Sequence, residues 1–184
     1  VVRTIQATNQ ELTEMGHEVV MLTPLQFKTV ACPTYPEIRL SLFPSKKVAR
    51  IIDDEQPDAL HIATEGPLGI AARRHAIRHK IPFTTAYHTR FPEYVRARFA
   101  VPLSWTYRFL RWFHDPAQHM LAPTQVVIND LASYGFKNVR MWSRGVDTAI
   151  FYPRIEQRLG TKEPIFLYVG RVAIEKNIDA FLSL

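Results

Sequence analysis

Hydrophobic and polar positions along the chain switch repeatedly between a helical and a strand rhythm. In IQATNQELTEMG the residues Ile5, Leu12 and Met15, with Ala7 and Thr8 between them, sit at helical spacing, and Gly16 stands where a helix C-cap belongs. HEVVMLTP follows at once, a β-branched run of strand length closed by Pro24. EIRLSLF (37–43) alternates as a strand does; Ser45 then caps a helix that reaches about Gln56 and is stopped by Pro57. DALHIA (58–63) is apolar on both parities, as a buried parallel strand is. After the turn TEGP, Pro67 occupies a favoured first-turn position for the helix LGIAARRHAIRHK. PFTTAYH (82–88) is a further strand, followed by a long aromatic, arginine-rich region to about His119. HMLAP then gives a short strand and TQVVINDLASYG a helix from Thr124 to its stop at Gly135. NVRMWS gives another strand, and RGVD a turn.

Strands and helices alternate at spacings that suit right-handed crossovers, which predicts a Rossmann-like, doubly wound α/β fold with a mostly parallel sheet. The tight helix–glycine–strand junction at Gly16 is the second half of a βαβ unit, so a strand is expected before Val1. From Tyr152 to Pro164 periodicity is lost and charge rises, as in a linker. IFLYV (165–169) and GRVAIEKNIDAFLSL then read as the first βα unit of a second Rossmann-like domain. The expected organisation is one domain over 1–151, a linker over 152–164 and the start of another domain over 165–184.

Composition narrows the class. With 47% hydrophobic and 22% charged residues the chain is ordinary for a soluble globular protein, and it has no apolar run long enough to span a bilayer. The first residues are too polar for a signal peptide. Cys32 is the single cysteine, which leaves no internal disulfide and no CxxC zinc pair, and reads as a reduced thiol in a cytoplasmic protein. The net charge of +6 calls for an anionic partner, whether nucleic acid, anionic lipid or a phosphorylated ligand. Its scatter along the chain weighs against a nucleic-acid tail.

Candidate chemistry gathers after strands. In YVGRVAIEKN, Gly170 lets a backbone come close, and Arg171 and Lys176 stand at a helix start, as in a phosphate grip; the plainer reading is a pair of solvated cations. In YHTRFPEYV, His88 at a strand end with Arg90 and Glu93 could meet a ligand or act as acid or base, or be a packing histidine. In TEGPLG, Glu65 could accept from a ligand hydroxyl, while Gly66 and Gly69 permit close approach; a plain βα turn is the alternative. His75 and His79 have one metal-ligand spacing, but the cationic RRHAIRHK around them disfavours a divalent ion. GxGxxG, Walker and GxSxG motifs are absent, which removes most dehydrogenase, NTPase and α/β-hydrolase readings. In VPLSWTYRFLRWFHD, Trp105, Phe109 and Trp112 share a helical face beside Arg108 and Arg111. Packing of these aromatics into the core, with the arginines snorkelling outward, is the expectation; dipping into an anionic lipid surface is the alternative.

In this order, GHEV before a strand, TEGPLG, YHTRFPEYV, SRGVDTAIFYP and YVGRVAIEKN resemble the family-4 retaining glycosyltransferases of GT-B fold. The subgroup that resembles them most includes GDP-mannose-dependent α-mannosyltransferases and glycolipid-forming sulfoquinovosyl and glucosyl transferases. The resemblance spans essentially the whole chain. It implies that Arg171 and Lys176 bind the diphosphate of a nucleotide-sugar donor, with Gly170 in the same turn, and that His88 reaches the donor sugar. Glu65, Gly66, Arg90 and Glu93 would line the cleft, and Gly145 and Asp147 would mark the crossing between domains. It also implies a hydroxyl acceptor, plausibly lipid-linked, no bound metal or other cofactor, and no protein nucleophile. The location would be cytoplasmic, at the periphery of an anionic membrane, with no nucleic-acid partner. Two parts of the family's donor site, an N-domain glycine loop and a helix with a glutamate pair, are expected beyond the ends of this chain, which on its own is then expected to be inactive. Two other classes remain: a GT-B-like sugar-nucleotide epimerase and a basic α/β nucleic-acid-binding module.

Overall fold

In a computed structural model of the protein, residues 2–33, 35–88, 92, 96, 101–143, 145–153, 165–170 and 177–182 are described. The first helix, α1 (Val2–Glu14), ends where expected. Gly16 takes φ +90°, which a glycine adopts without the Cβ clash other residues meet, and the His17 N–H donates to the Leu12 carbonyl at 3.0 Å. The strand expected in HEVVMLTP does not form. Residues 17–23 carry no strand, although Leu22 packs against the core. A β-branched run becomes a strand only when a neighbour supplies its ladder, and no described strand lies beside this one.

An antiparallel hairpin comes next, formed by β1 (Thr29–Cys32) and β2 (Tyr35–Ser41) with Thr29 opposite Ser41. Only β2 was legible in the sequence, because four residues of TVAC are too short a run to show a period. Arg39 crosses the hairpin, its Nε donating to Thr29 Oγ1 at 3.1 Å and Nη2 to the Thr29 carbonyl at 3.0 Å. In α2 (Ser45–Glu55), Pro44 and not Ser45 holds the N-cap position; Ser45 is the first helical residue, and no side chain makes a cap bond.

The main sheet is the predicted parallel α/β unit. Its order is β3 (Leu60–Ile62), β4 (Phe83–Ala86), β5 (His119–Ala122) and β6 (Val139–Met141), all parallel. The crossovers carry α3 (Pro67–His79), α4 (Leu103–His114) and α5 (Gln125–Ser133). Each crossover steps to the adjacent strand in one direction, so the described strands wind one way across the sheet.

Side chains alternate between the two faces of the strands. Ile62, Phe83, Thr85, Met120 and Ala122 point to the buried face, where Val48 and Ile52 of α2, Ala72 and Ala76 of α3, and Phe113 close one cluster. Tyr107 and Leu110 of α4, with Leu131 and Phe136, close a second around Met120. The opposite face carries His61, Thr84, His119 and Arg140 and is more open. There His61 Nδ1 lies 2.9 Å from Thr84 Oγ1, and the His61 ring stands edge-on to Trp142 at 6.0 Å. Burial lowers the His61 pKa.

Helix α4 overturns the expectation that its aromatics pack inward. Trp105 is 72% exposed and Trp112 44%, while Thr106, Tyr107, Leu110, Phe113 and His114 are buried. Two stripes of this helix could have faced the core. The stripe that does so finds partners for its polar atoms, and Tyr107 stacks on Tyr134 at 3.6 Å. Arg73 of α3 then fixes the end of α4. Its Nε donates to the Phe113 carbonyl at 2.9 Å, Nη2 donates to the Trp112 carbonyl, and the guanidinium covers the Trp112 ring at 4.1 Å. A cation on these free carbonyls also complements the helix dipole. Burial, and then the nearby Arg74, lower the Arg73 pKa, but a guanidinium stays charged.

Toward the C-terminus, IFLYV does not form the predicted strand. Ile165, Phe166, Leu167 and Val169 are exposed, and no described strand pairs with them. A short helix, α6 (Ile178–Leu182), follows Asn177, which has φ +48°. Most of the expected linker, 154–164, lies outside the described residues.

Gly69 sets how closely α3 meets β3: a Cβ there would stand 1.9 Å from the Thr64 carbonyl oxygen and 3.0 Å from Ile62 Cγ2. Gly66 has open space around it. Gly69→Ala should therefore lower unfolding free energy by about 1–3 kcal/mol in urea titration, and Gly66→Ala by well under ~1 kcal/mol. A second expectation concerns pH. The His61 side chain stays exposed, but its partial desolvation beside Thr84 and Trp142 favours the neutral ring, so the unfolded chain binds the proton slightly more readily. Stability on this account is complete above about pH 6.5 and declines as pH falls toward the lowered folded value. His61→Gln should flatten the melting temperature between about pH 7 and about pH 5 relative to the parent.

Candidate functional site

Parallel α/β sheets offer their ligand crevice at the carboxyl ends of the strands, where loops leave for helices whose N–H groups are free. Here that edge is formed by the loop 63–66 after β3, by Tyr87 and His88 after β4, and by Trp142 after β6. Two backbone bonds extend the ladder past the strands proper: Tyr87 N–H to the Leu121 carbonyl and Trp142 N–H to the Ala122 carbonyl, each 2.8 Å. They hold His88 half-buried with its ring 6.2 Å from that of Trp142. The sequence put His88 at a strand end, and it stands two residues beyond Ala86, the last of β4. Trp142 as its neighbour was not anticipated, since no local pattern links positions on β4 and β6.

Glu65 is a member of this edge, but its carboxylate turns inward. Oε1 lies 3.3 Å from Nε2 of His114, and the Glu65 side chain is only 26% exposed. His114 is fully buried, and its Nδ1 lies 2.8 Å from the hydroxyl of Thr85, also fully buried. In the tautomer that carries its proton on Nε2, the ring donates to Glu65 and Nδ1 accepts from the Thr85 hydroxyl. The His114 carbonyl accepts from Asn138 Nδ2 at 3.1 Å, and the same amide donates to the Ala117 carbonyl at 2.8 Å. His114 therefore connects β4 and the loop after β3 through its ring, and the approach to β6 through its carbonyl. In the sequence His114 shows no ligand spacing. It is separated by |i−j| = 49 from Glu65 and |i−j| = 29 from Thr85, so only the fold could reveal it.

Gly66 is the N-cap of α3, with φ −73° and ψ −177°, and Pro67 begins the helix as predicted. The loop's second glycine, Gly69, serves the contact with Thr64 described above. Gly170 is exposed, and a Cβ there would meet only the Tyr168 side chain of its own segment. Arg90, Glu93, Arg171 and Lys176 lie outside the described residues. Asp147 organises a turn: Oδ1 accepts from Ala149 N–H at 2.9 Å and its carbonyl from Phe151 N–H at 2.8 Å.

The i, i+4 histidines have local partners. His75 Nε2 meets Asp53 Oδ1 at 2.7 Å, and the His75 and His79 rings are 4.3 Å apart. No group of three or more metal-ligating side chains gathers among the described residues. No helix among them is long and apolar enough to cross a membrane.

Comparison with known proteins agrees with this architecture. The family model described as Glycosyltransferase Family 4 matches residues 1–150. The chain is 29% identical to the sulfoquinovosyl transferase of Arabidopsis thaliana, over 94% of this chain and 39% of that protein. It is 26% identical to a GDP-mannose-dependent alpha-mannosyltransferase of Corynebacterium glutamicum, over 95% of this chain and 48% of the relative. It is also 26% identical to the alpha-monoglucosyldiacylglycerol synthase of Streptococcus pneumoniae, over 99% and 48%. The chain thus spans about half the length of the curated relatives it matches. No solved structure matches significantly.

The histidine bridge makes a graded expectation. Thr85→Val leaves Nδ1 of a fully buried ring without its donor and should cost about 1–3 kcal/mol in urea unfolding at unchanged m-value. Glu65→Gln, at a partly exposed position that keeps an acceptor for Nε2, should cost less than Thr85→Val. Equal costs, or the reverse order, would contradict the bridge.

Proposed function

The chain belongs to glycosyltransferase family 4, and from that membership we propose that the full protein transfers a hexose from a nucleotide-diphosphate sugar to a hydroxyl group carried on a lipid. The observation that carries the reading is the family match over residues 1–150, with named mannosyl, sulfoquinovosyl and glucosyl-diacylglycerol relatives that each align with 94% or more of this chain. The donor sugar is of mannose or glucose type, and the work is done at the cytoplasmic periphery of a membrane.

In this reaction the bond between the anomeric carbon and the donor phosphate oxygen breaks. The acceptor oxygen attacks from the same face, its proton passes to the leaving phosphate, and configuration is retained without a protein nucleophile or a metal ion. The departing diphosphate gathers charge in the transition state, which is where oriented cations contribute most. Arg171 and Lys176 are assigned that task, with Gly170 giving the backbone room to approach. His88 is assigned to the donor sugar; its position at the crevice edge beside Trp142 supports this. Glu65, Gly66, Arg90 and Glu93 belong to the loops lining the cleft, with Glu65 serving through His114.

The test is transfer of label by the full-length protein from GDP-mannose, or from UDP-sugars, into a lipid extract. One donor class should label lipid, and a chelator should leave the rate unchanged. No labelled lipid from any donor, or an isomerised nucleotide sugar in its place, would overturn the reading. So would steeply salt-dependent binding to nucleic acid with none to nucleotide sugars. Arg171→Ala and Lys176→Ala should each lower kcat/KM by about tenfold to a hundredfold, the loss of one charge-assisted phosphate contact. His88→Ala should lower it about tenfold or more, the loss of a contact to the donor sugar, beyond any small fall in melting temperature from the lost packing against Trp142.

A further inference from the structure

Four side chains on α4 form an outward stripe at i, i+3, i+4 and i+7: Trp105, Arg108, Phe109 and Trp112. They line a shallow surface depression, and Arg111 is exposed beside them. Trp105 is 72% exposed, although an indole is among the largest apolar groups a fold can bury. Exposed apolar groups scattered singly need no explanation, but a contiguous aromatic stripe rimmed by charge does.

This face is held outward by its supports. The guanidinium of Arg73 lies against the Trp112 ring at 4.1 Å, and Phe109 leans on Trp112 with ring centroids 5.7 Å apart. The inward stripe of the same helix is fixed by fully buried Leu110, Phe113 and His114. Turning the aromatics inward would require unmaking that core.

Charge identifies the occupant. Between Glu93 and Asp115 the sequence contains no acidic residue and four arginines, at 96, 98, 108 and 111. A stripe of Trp and Phe flanked by Arg, whose one carboxylate neighbour on the helix is Asp115 at the C-cap, is matched by a surface with an apolar interior and an anionic skin. Tryptophan favours the headgroup boundary of a bilayer, and arginine can reach phosphate while its stem stays apolar. We propose that the outward face of α4, made of Trp105, Arg108, Phe109 and Trp112 with Arg111 on its flank beside Gly135, docks the protein on an anionic phospholipid surface. The inference rests on the reading of the protein as a lipid-directed transferase and names the contact that brings it to its acceptor. The helix lies in the plane of the interface, with its aromatics in the headgroup–acyl boundary and its arginines on lipid phosphates.

Vesicle sedimentation of the full-length protein tests this with two vesicle types, pure phosphatidylcholine and phosphatidylcholine mixed with phosphatidylglycerol. The wild type should partition onto the mixed vesicles in preference. The double variant Trp105→Ser/Phe109→Ser should reduce that partitioning by at least about tenfold. Arg108→Glu should reduce it by about thirtyfold, from a change of two charge units near the surface. Lys46→Glu, an exposed charge reversal on α2, should have a much smaller effect. Circular dichroism and transfer to a water-soluble acceptor should match wild type in each variant. If wild type binds the vesicles and the α4 variants bind equally, the docking face is overturned while the lipid-directed reading stands. A protein or nucleic-acid occupant of this face would give that same result. If wild type does not bind and still transfers sugar only to soluble acceptors, the lipid-directed reading fails and takes this inference with it.

Discussion

The buried imidazole of His114 is the constraint around which the rest is arranged. It lies at the end of α4, yet it reaches the Thr85 hydroxyl on β4 and the Glu65 carboxylate in the loop after β3, while the main-chain carbonyl of the same residue takes the Asn138 amide. A polar ring with no exposure is tolerated only when its atoms are partnered, because an unmet donor or acceptor there costs more than the bond contributes when made. Satisfying it fixes the height of α4 against the sheet and the inward turn of Glu65. It also fixes where the loop leaves for α3. That loop forms part of the carboxyl edge of the sheet, so the course of that edge follows from a bond made beneath it.

The same choice decides what α4 shows to the outside. A helix with aromatic residues on two stripes can bury only one of them. The stripe with His114 and Tyr107 goes inward because its polar atoms find Thr85 and Glu65 and its ring finds Tyr134. Trp105, Phe109 and Trp112 are then left at the surface, and Arg73 secures the arrangement from α3 by bonding to the last carbonyls of the helix. A polar contact in the core thereby produces an apolar feature on the surface.

Much of the fold was legible in the chain because its signals are local. Pro67 at the start of α3, Thr124 at the start of α5 and Gly16 after α1 each act within a turn of where they stand. The four parallel strands were legible from apolar runs bounded by turn residues. The two expected strands that do not form share a cause: HEVVMLTP and IFLYV have the composition of strands, but strand formation is a property of a pair, and no described strand lies beside either. The site divides in the same way. His88 was visible because it closes a strand, whereas His114, Thr85 and Trp142 come together only through the fold. Helical periodicity also could not choose between the two stripes of α4, since both satisfy it.

The proposed nucleotide-sugar chemistry would fall at the carboxyl edge of the parallel sheet, where the residues after β3 and β4 lie with the histidine bridge below them. The most direct measurement of that proposal is hydrogen exchange of the full-length protein with and without GDP-mannose or a UDP-sugar. The expected result is slowed exchange at the amides of residues 64–66 and 87–88, the loop tied to His114 and the segment that carries His88. Protection confined to α4 or to the hairpin of β1 and β2, with the strand-end loops unchanged, would contradict it.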